Sequence, residues 1–349
     1  MRDAVLAGHG LYGRFGPDAL RLFTVFLDNG FMHLLFFVSG MATARSLRGR
    51  SARAFIGERA RRLLLPFGLM LLLVIPVQAW FRALDFGTFR GGFLAFYPHF
   101  FEGVSAGPGS PGHFDWGHLW FLLYLFAFSA ATAALFQRWR RRGLPALPVG
   151  TAAGVLVPAM WIALLEAVFR PGWPGYQNLV DDWANVSVYL SFFVLGHLAG
   201  ADVRLAEAAE RARFAALALG LGAFAARLGC YEWLAVGDGY QAANMLAQFL
   251  RGLAAWGLVL AAIGFGRRHL TATGRMLGLA RDLSFPLYLL HFVPLTAATY
   301  LLLGTGLGVW TRWALSVLIA WAAVALCTVV FRHVPPLRAL FGIRASGRG

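Results

Sequence analysis

Residues 118–137 read HLWFLLYLFAFSAATAALFQ, twenty residues with no formal charge, and residues 138–142 follow as RWRRR. A helix that crosses a bilayer needs about 20 mostly apolar residues. Arginines massed at one end of such a helix mark that end as cytoplasmic. This stretch therefore decides the class of the fold: an all-α, polytopic transmembrane helix bundle. Eight further apolar runs lie at 23–44, 63–81, 149–168, 184–201, 212–230, 241–264, 283–303 and 313–332, which gives about nine helices. Composition agrees, since the 349 residues are 59% hydrophobic and 13% charged, against about 25% charged in a soluble domain. A short aromatic stretch, 93–101, reads as an interfacial segment inside the Gly- and Pro-rich loop 82–117. Residues 1–342 read as a single integral-membrane domain and 343–349 as a cytoplasmic tail. No secretory signal is expected in residues 1–22, since Arg2, Asp3, Arg14, Asp18 and Arg21 break any apolar run.

The formal charge is +15, and all 31 basic residues are arginine. With no lysine, Schiff-base chemistry on lysine is excluded. A basic balance can signal nucleic acid, but here the arginines sit in short loops between apolar runs, so they report orientation and not nucleic acid. The loops 45–62, 138–142, 202–213 and 265–282, with the tail from 332, hold 22 arginines. The alternate set holds five: Arg82, Arg90, Arg170, Arg227 and Arg312. The positive-inside rule places the first set in the cytoplasm, with the C-terminus, in a multi-pass protein of the inner (cytoplasmic) membrane. Nine helices then leave the N-terminus outside, and a tenth helix ahead of the first would remove that difficulty. Cys230 and Cys327 are the only cysteines and lie far apart, so neither a metal site nor a disulfide is expected.

The sequence FMHLLFFVSG at 31–40 carries an "FFxSG" helix, and ARRLLLP at 60–66 an Arg-rich entry into an "LLxP" helix. Phe96-Tyr97-Pro98 follows, then GHLWFL at 117–122, FFVLG at 192–196, LSFPLYLLH at 283–291 and PLRALFG at 336–342. In this order and spacing the set resembles the acyltransferase type 3 family, whose members move acyl groups, often onto cell-surface carbohydrates. The glucan-succinyltransferase branch is the most similar. The resemblance implies an opening helix with an arginine and, about a helix length later, a catalytic histidine. By this resemblance the pattern is expected to lack that first helix. His9 falls where it would end. Arg21 and His33 reproduce the spacing, yet His33 already belongs to the "FFxSG" helix.

Acyl transfer from a thioester to a hydroxyl needs a base, and histidine titrates near neutrality. It also needs donors for the oxyanion. An acyl-CoA donor brings phosphates, which arginine binds in bidentate fashion. The candidate catalytic residues are His9, His33, His118, His291 and Arg251. Arg59, Arg61 and Arg62 are candidates for the donor phosphates, and serve equally as topology signals. No bound cofactor and no metal is expected; acyl-CoA is the co-substrate. The partners are membrane lipid, the acyl donor and a glycan acceptor, with Trp116 and Trp120 as candidate sugar-stacking groups beside His118.

Ionisable groups inside the bilayer are costly and mark cavities or partners. Asp28, His33, Glu166, His197, Arg251 and His291 are such groups here. Arg251, His291 and His33 are expected to line one internal cavity, open toward the Arg loop, with Glu166 or Asp28 as the ion-pair partner of Arg251. Two other readings stand beside the enzyme: a polytopic transporter or flippase, and a truncated inactive member of the family. The topology is tested by single cysteines placed in loop 82–117. They should react with an impermeant maleimide from the non-cytoplasmic side; labelling only from the cytoplasmic side would contradict the arrangement.

Overall fold

The computed structural model describes residues 18–105, 112–145, 152–270 and 274–341. All regular elements among them are helical. They are α1 (Asp18–Asp28), α2 (Phe31–Ser46), α3 (Ala52–Arg59), α4 (Leu65–Leu73), α5 (Ile75–Phe86), α6 (Phe93–His99) and α7 (Trp120–Arg142). Then follow α8 (Ala152–Phe169), α9 (Trp183–Ala201), α10 (Val203–Trp233), α11 (Ala242–His269), α12 (Arg275–Leu290), α13 (Phe292–Leu303), α14 (Val309–His333) and α15 (Pro335–Leu340).

Six described helices are long and apolar enough to span a membrane, and two bent pairs raise this to eight. A shorter apolar helix, Gly154–Phe169, occupies the ninth expected run. Each of the nine runs in the sequence thus corresponds to a helix or a bent helix pair. The aromatic stretch at 93–101 becomes the short α6. The loop expected at 202–213 is instead helical, because Asp202 accepts the Arg204 amide at 3.0 Å and starts α10 early. Arg267 of α11 pairs with Glu207 and Glu210 of that extension at 3.3 and 3.1 Å.

The bends have covalent causes. Proline removes a backbone donor and crowds the carbonyl four residues earlier. Pro66 crowds the carbonyl of Arg62, and residues Ala60–Leu64 respond with a π-helical turn. Pro76 leaves the Leu72 carbonyl without its helical partner, and α4 and α5 meet at a 40° bend. The Tyr97 hydroxyl donates to that carbonyl at 3.2 Å. Pro294 acts likewise on the Leu290 carbonyl, and the span breaks by 51° at His291.

The helices group into two compact units, each assembled from separate stretches of chain. Of the described residues, the first comprises 22–59, 124–145 and 152–270, and the second 18–21, 60–105, 112–123 and 274–341. In the first unit α2 packs on α9 and α10 on α11, with α8 also against α11. Glycine makes this possible. A Cβ on Gly40 would strike the Phe193 carbonyl, one on Gly196 the Phe37 carbonyl, and one on Gly200 would lie 2.6 Å from the Met41 carbonyl. Small residues let helix backbones touch where lipid offers no hydrophobic drive to associate. In the second unit α13 packs against α14 and α5.

Gly196→Leu should destabilise the chain by about 3 kcal/mol or more, the upper range for overpacking, because backbone cannot yield as a side chain does. Gly222→Leu, with open space around it, should leave stability within about 0.5 kcal/mol. Reversible detergent unfolding of both variants checks this, and equal losses would remove the close-packing account.

Candidate active site

Among the described residues, each unit holds polar side chains within its apolar helices. In the first unit the hub is Glu166, near the end of α8 and 0% exposed. Arg170, four residues on, grips it twice: Nε donates to Oε2 at 2.8 Å and a terminal nitrogen to Oε1 at 3.0 Å. The i,i+4 spacing puts both groups on one helix face. Arg170 also donates to Asn185 Oδ1 at 2.8 Å and to the Pro174 carbonyl at 3.3 Å. Asn185 in turn donates to Asp182 at 2.9 Å, and the Tyr124 hydroxyl donates to the same carboxylate. Burial raises the Asp182 carboxyl above its ordinary range, against the hydrogen bonds it accepts from Tyr124 and Asn185.

Arg251 reaches the same hub, with Nε 3.7 Å from Glu166 Oε1. His33, in the first turn of α2, is 0% exposed and within electrostatic reach of Glu166, Arg251 and Arg170. Tyr189 and Phe192 meet its ring edge-on at 5.1 and 5.0 Å. Neither His33 ring nitrogen has a hydrogen-bond partner among the described residues. Sequence reasoning paired Arg251 with Glu166 or Asp28; Glu166 is the partner, and Asp28 is exposed at the end of α1. This set lies at the start of α2, about 20 Å along that helix from the Arg45 end at 1.5 Å per residue. Arg170 and Arg227, counted above as loop arginines, are both buried. Their signal was available for Arg170 in the Glu166 spacing, and hidden for Arg227.

In the second unit His118 and His291 come together, their rings 5.2 Å apart. His118 leads into α7 through a 3-10 turn, Gly117–Leu119. Asp115 caps that turn, accepting the Gly117 amide at 2.5 Å, and Arg82 pairs with Asp115 at 2.5 Å. The ring of Phe292 stacks on His118 at 5.0 Å, and Tyr288 donates to the His118 carbonyl at 2.7 Å. His118 Nε2 lies 3.4 Å from the Leu289 carbonyl, beside the bend. His291 sits at the bend itself. Its Nδ1 lies 2.8 Å from the Leu287 carbonyl and 3.0 Å from that of Tyr288. Both contacts are to acceptors, so Nδ1 carries the proton and Nε2 keeps a lone pair.

Residues 4–332 match a family model described as an acyltransferase domain. The chain belongs to the acyltransferase type 3 family. It is a multi-pass membrane acyltransferase of helical architecture, and the match runs through both units. No curated protein and no solved structure matches the chain.

The remaining candidates fall as follows. Arg59 is half-buried, donating to Thr43 at 3.1 Å and lying over the Phe55 ring at 5.2 Å. Arg61 and Arg62, in the π-helical turn, are exposed. Trp120 is buried, so its face is not presented to a sugar. His197 stacks on Phe136 at 3.5 Å. His9 lies outside the described residues. Among the described residues no group of three or more His, Cys, Asp or Glu side chains is placed to hold a metal ion.

Proposed function

We propose that the chain moves an acyl group from cytoplasmic acyl-CoA to a hydroxyl of a cell-surface or periplasmic carbohydrate, from an inner membrane with its C-terminus inside. The observation that carries this reading is the free Nε2 of His291, whose Nδ1 is tied to the Leu287 carbonyl beside His118. A lone pair held in a fixed direction is what a general base requires. His291 Nε2 takes the proton of the acceptor hydroxyl. The hydroxyl oxygen bonds to the thioester carbonyl carbon, the carbon–sulfur bond breaks, and the leaving CoA thiolate takes back the proton held on His291 Nε2. The products are an ester and free CoA.

Arg61 and Arg62, exposed at the π-helical turn, serve the donor phosphates, and Arg59 lends the same stretch of chain a third guanidinium. The glucan-succinyltransferase-like motifs favour a glucan acceptor and a succinyl donor. The two bent spans also suit a transporter, since broken helices line many transport sites. That reading predicts uptake without covalent transfer.

The full chain in nanodiscs is incubated with labelled acetyl-CoA or succinyl-CoA and an oligomeric glucan. Label should enter the glucan as an ester. His291→Gln should lower kcat about 10²- to 10⁴-fold, the ordinary worth of a general base. Arg61→Gln with Arg62→Gln should raise the KM for acyl-CoA, most strongly at low salt. Label that stays on CoA with every donor, or a His291→Gln variant with full kcat, would overturn the assignment.

A further inference from the structure

Three arginines of the first unit share the Glu166 neighbourhood, and only one of them is fully partnered. Arg170 spends its guanidinium on Glu166, Asn185 and the Pro174 carbonyl. Both Glu166 oxygens are then occupied, and Arg251 makes only a 3.7 Å approach to one of them. Arg227, buried on α10 and within electrostatic reach of Arg251 and Glu166, meets neutral groups. Its NH1 donates to Asn29 Oδ1 at 3.4 Å, and its guanidinium lies 5.5 Å from the Tyr231 ring centre. The other carboxylate of this buried set, Asp182, accepts from Tyr124, Asn185 and the Gln177 amide at Oδ2, and its Oδ1 is buried without a hydrogen-bond partner among the described residues. Counting Asp182 as fully ionised, three guanidiniums face two carboxylates.

The hydrogen-bond accounting points the same way. Arg227 Nε, Arg251 Nε and Asn29 Nδ2 are buried donors without an acceptor, and both nitrogens of the wholly buried His33 are free. A buried unpaired donor costs about 1–3 kcal/mol, more when charged. Water can answer the donors but cannot cancel the charge. An oxyanion does both, since its oxygens each carry lone pairs and it brings the missing negative charge.

We propose that Arg227, Arg251, Asn29 and His33 form a binding site for an oxyanion, a carboxylate or a phosphate, inside the first unit. Arg227 and Asn29 hold it from one side; Arg251 and a ring N–H of His33 hold it from the other. The side chain of Arg251 is 21% exposed and gives the way in, while the rest of the set is buried. Binding needs neither acyl donor nor acceptor, so it stands or falls apart from acyl transfer. The anion is either free in solution or the phosphate of a lipid headgroup, and the chemistry of recognition is the same.

Thermal unfolding of the full chain in phosphatidylcholine nanodiscs is followed against acetate, then inorganic phosphate, each compared with chloride at equal ionic strength. A second set of nanodiscs contains phosphatidylglycerol and no added oxyanion. One of these probes should raise Tm saturably. Arg227→Met should weaken that response about tenfold or more, the worth of one charge-assisted hydrogen bond. Asn29→Asp supplies a carboxylate in place and should raise the basal Tm while abolishing the response. A response to acetate or phosphate identifies a soluble ligand, and one confined to phosphatidylglycerol identifies a lipid. If Arg227→Met does not fold, Asn29→Asp decides alone. No response from any probe, or a response that survives Asn29→Asp, overturns the proposal and leaves water as the filling.

Discussion

The grip of Arg170 on Glu166 is the interaction around which the first unit is arranged. A carboxylate with no exposed surface, set in an apolar bundle, keeps its charge only if cations and donors answer it. Arg170 answers it twice from one turn away, and then carries the network outward through Asn185 to Asp182 and Tyr124. Arg251 approaches the same carboxylate at 3.7 Å, and His33 lies within its electrostatic reach. Removing one partner of such a pair typically costs about 3–5 kcal/mol, because the other stays buried and unanswered. The pair is thus less a source of net stability than a constraint that fixes how α8, α9 and α11 face one another.

The second unit follows a different logic, built on proline. Hydrocarbon offers no water to a carbonyl that has lost its helical donor, so a bend must be answered from within the protein. Tyr97 answers the Leu72 carbonyl in this way, and at the second bend His118 approaches the neighbouring Leu289 carbonyl. The bend at His291 fixes that ring against the Leu287 carbonyl and sets its free nitrogen. In this way the bend in one span is tied to the place where two histidine rings meet. Asp115 and Arg82 steady the turn that carries His118.

Much of this was legible in the amino-acid order. Apolar runs of spanning length marked every described span, because the bilayer demands about 20 residues whatever their identity. Gly40 and Gly196 stood in motifs where small residues suggest close packing, and they meet opposing backbone as such residues do. The bends at Val74 and His291 were readable in Pro76 and Pro294 but were not expected, since both runs are apolar throughout. The polar set was harder. Arg170 and Arg227 counted as loop residues because hydropathy sees only distance from an apolar run. The burial of Arg170 was readable in its i,i+4 spacing to Glu166, whereas that of Arg227 comes with a partner on another helix, Asn29, which no spacing along one helix reveals. His118 and His291, far apart in sequence, were each singled out by motif, yet their meeting was not.

The central claim is that Glu166 and Arg170 act as one buried unit. A double-mutant cycle with Glu166→Gln, Arg170→Gln and the double variant, read by reversible unfolding in detergent micelles, measures that directly. Each single change should cost about 3–5 kcal/mol and the double change clearly less than their sum. Single variants with wild-type stability, or losses that simply add, would contradict the account.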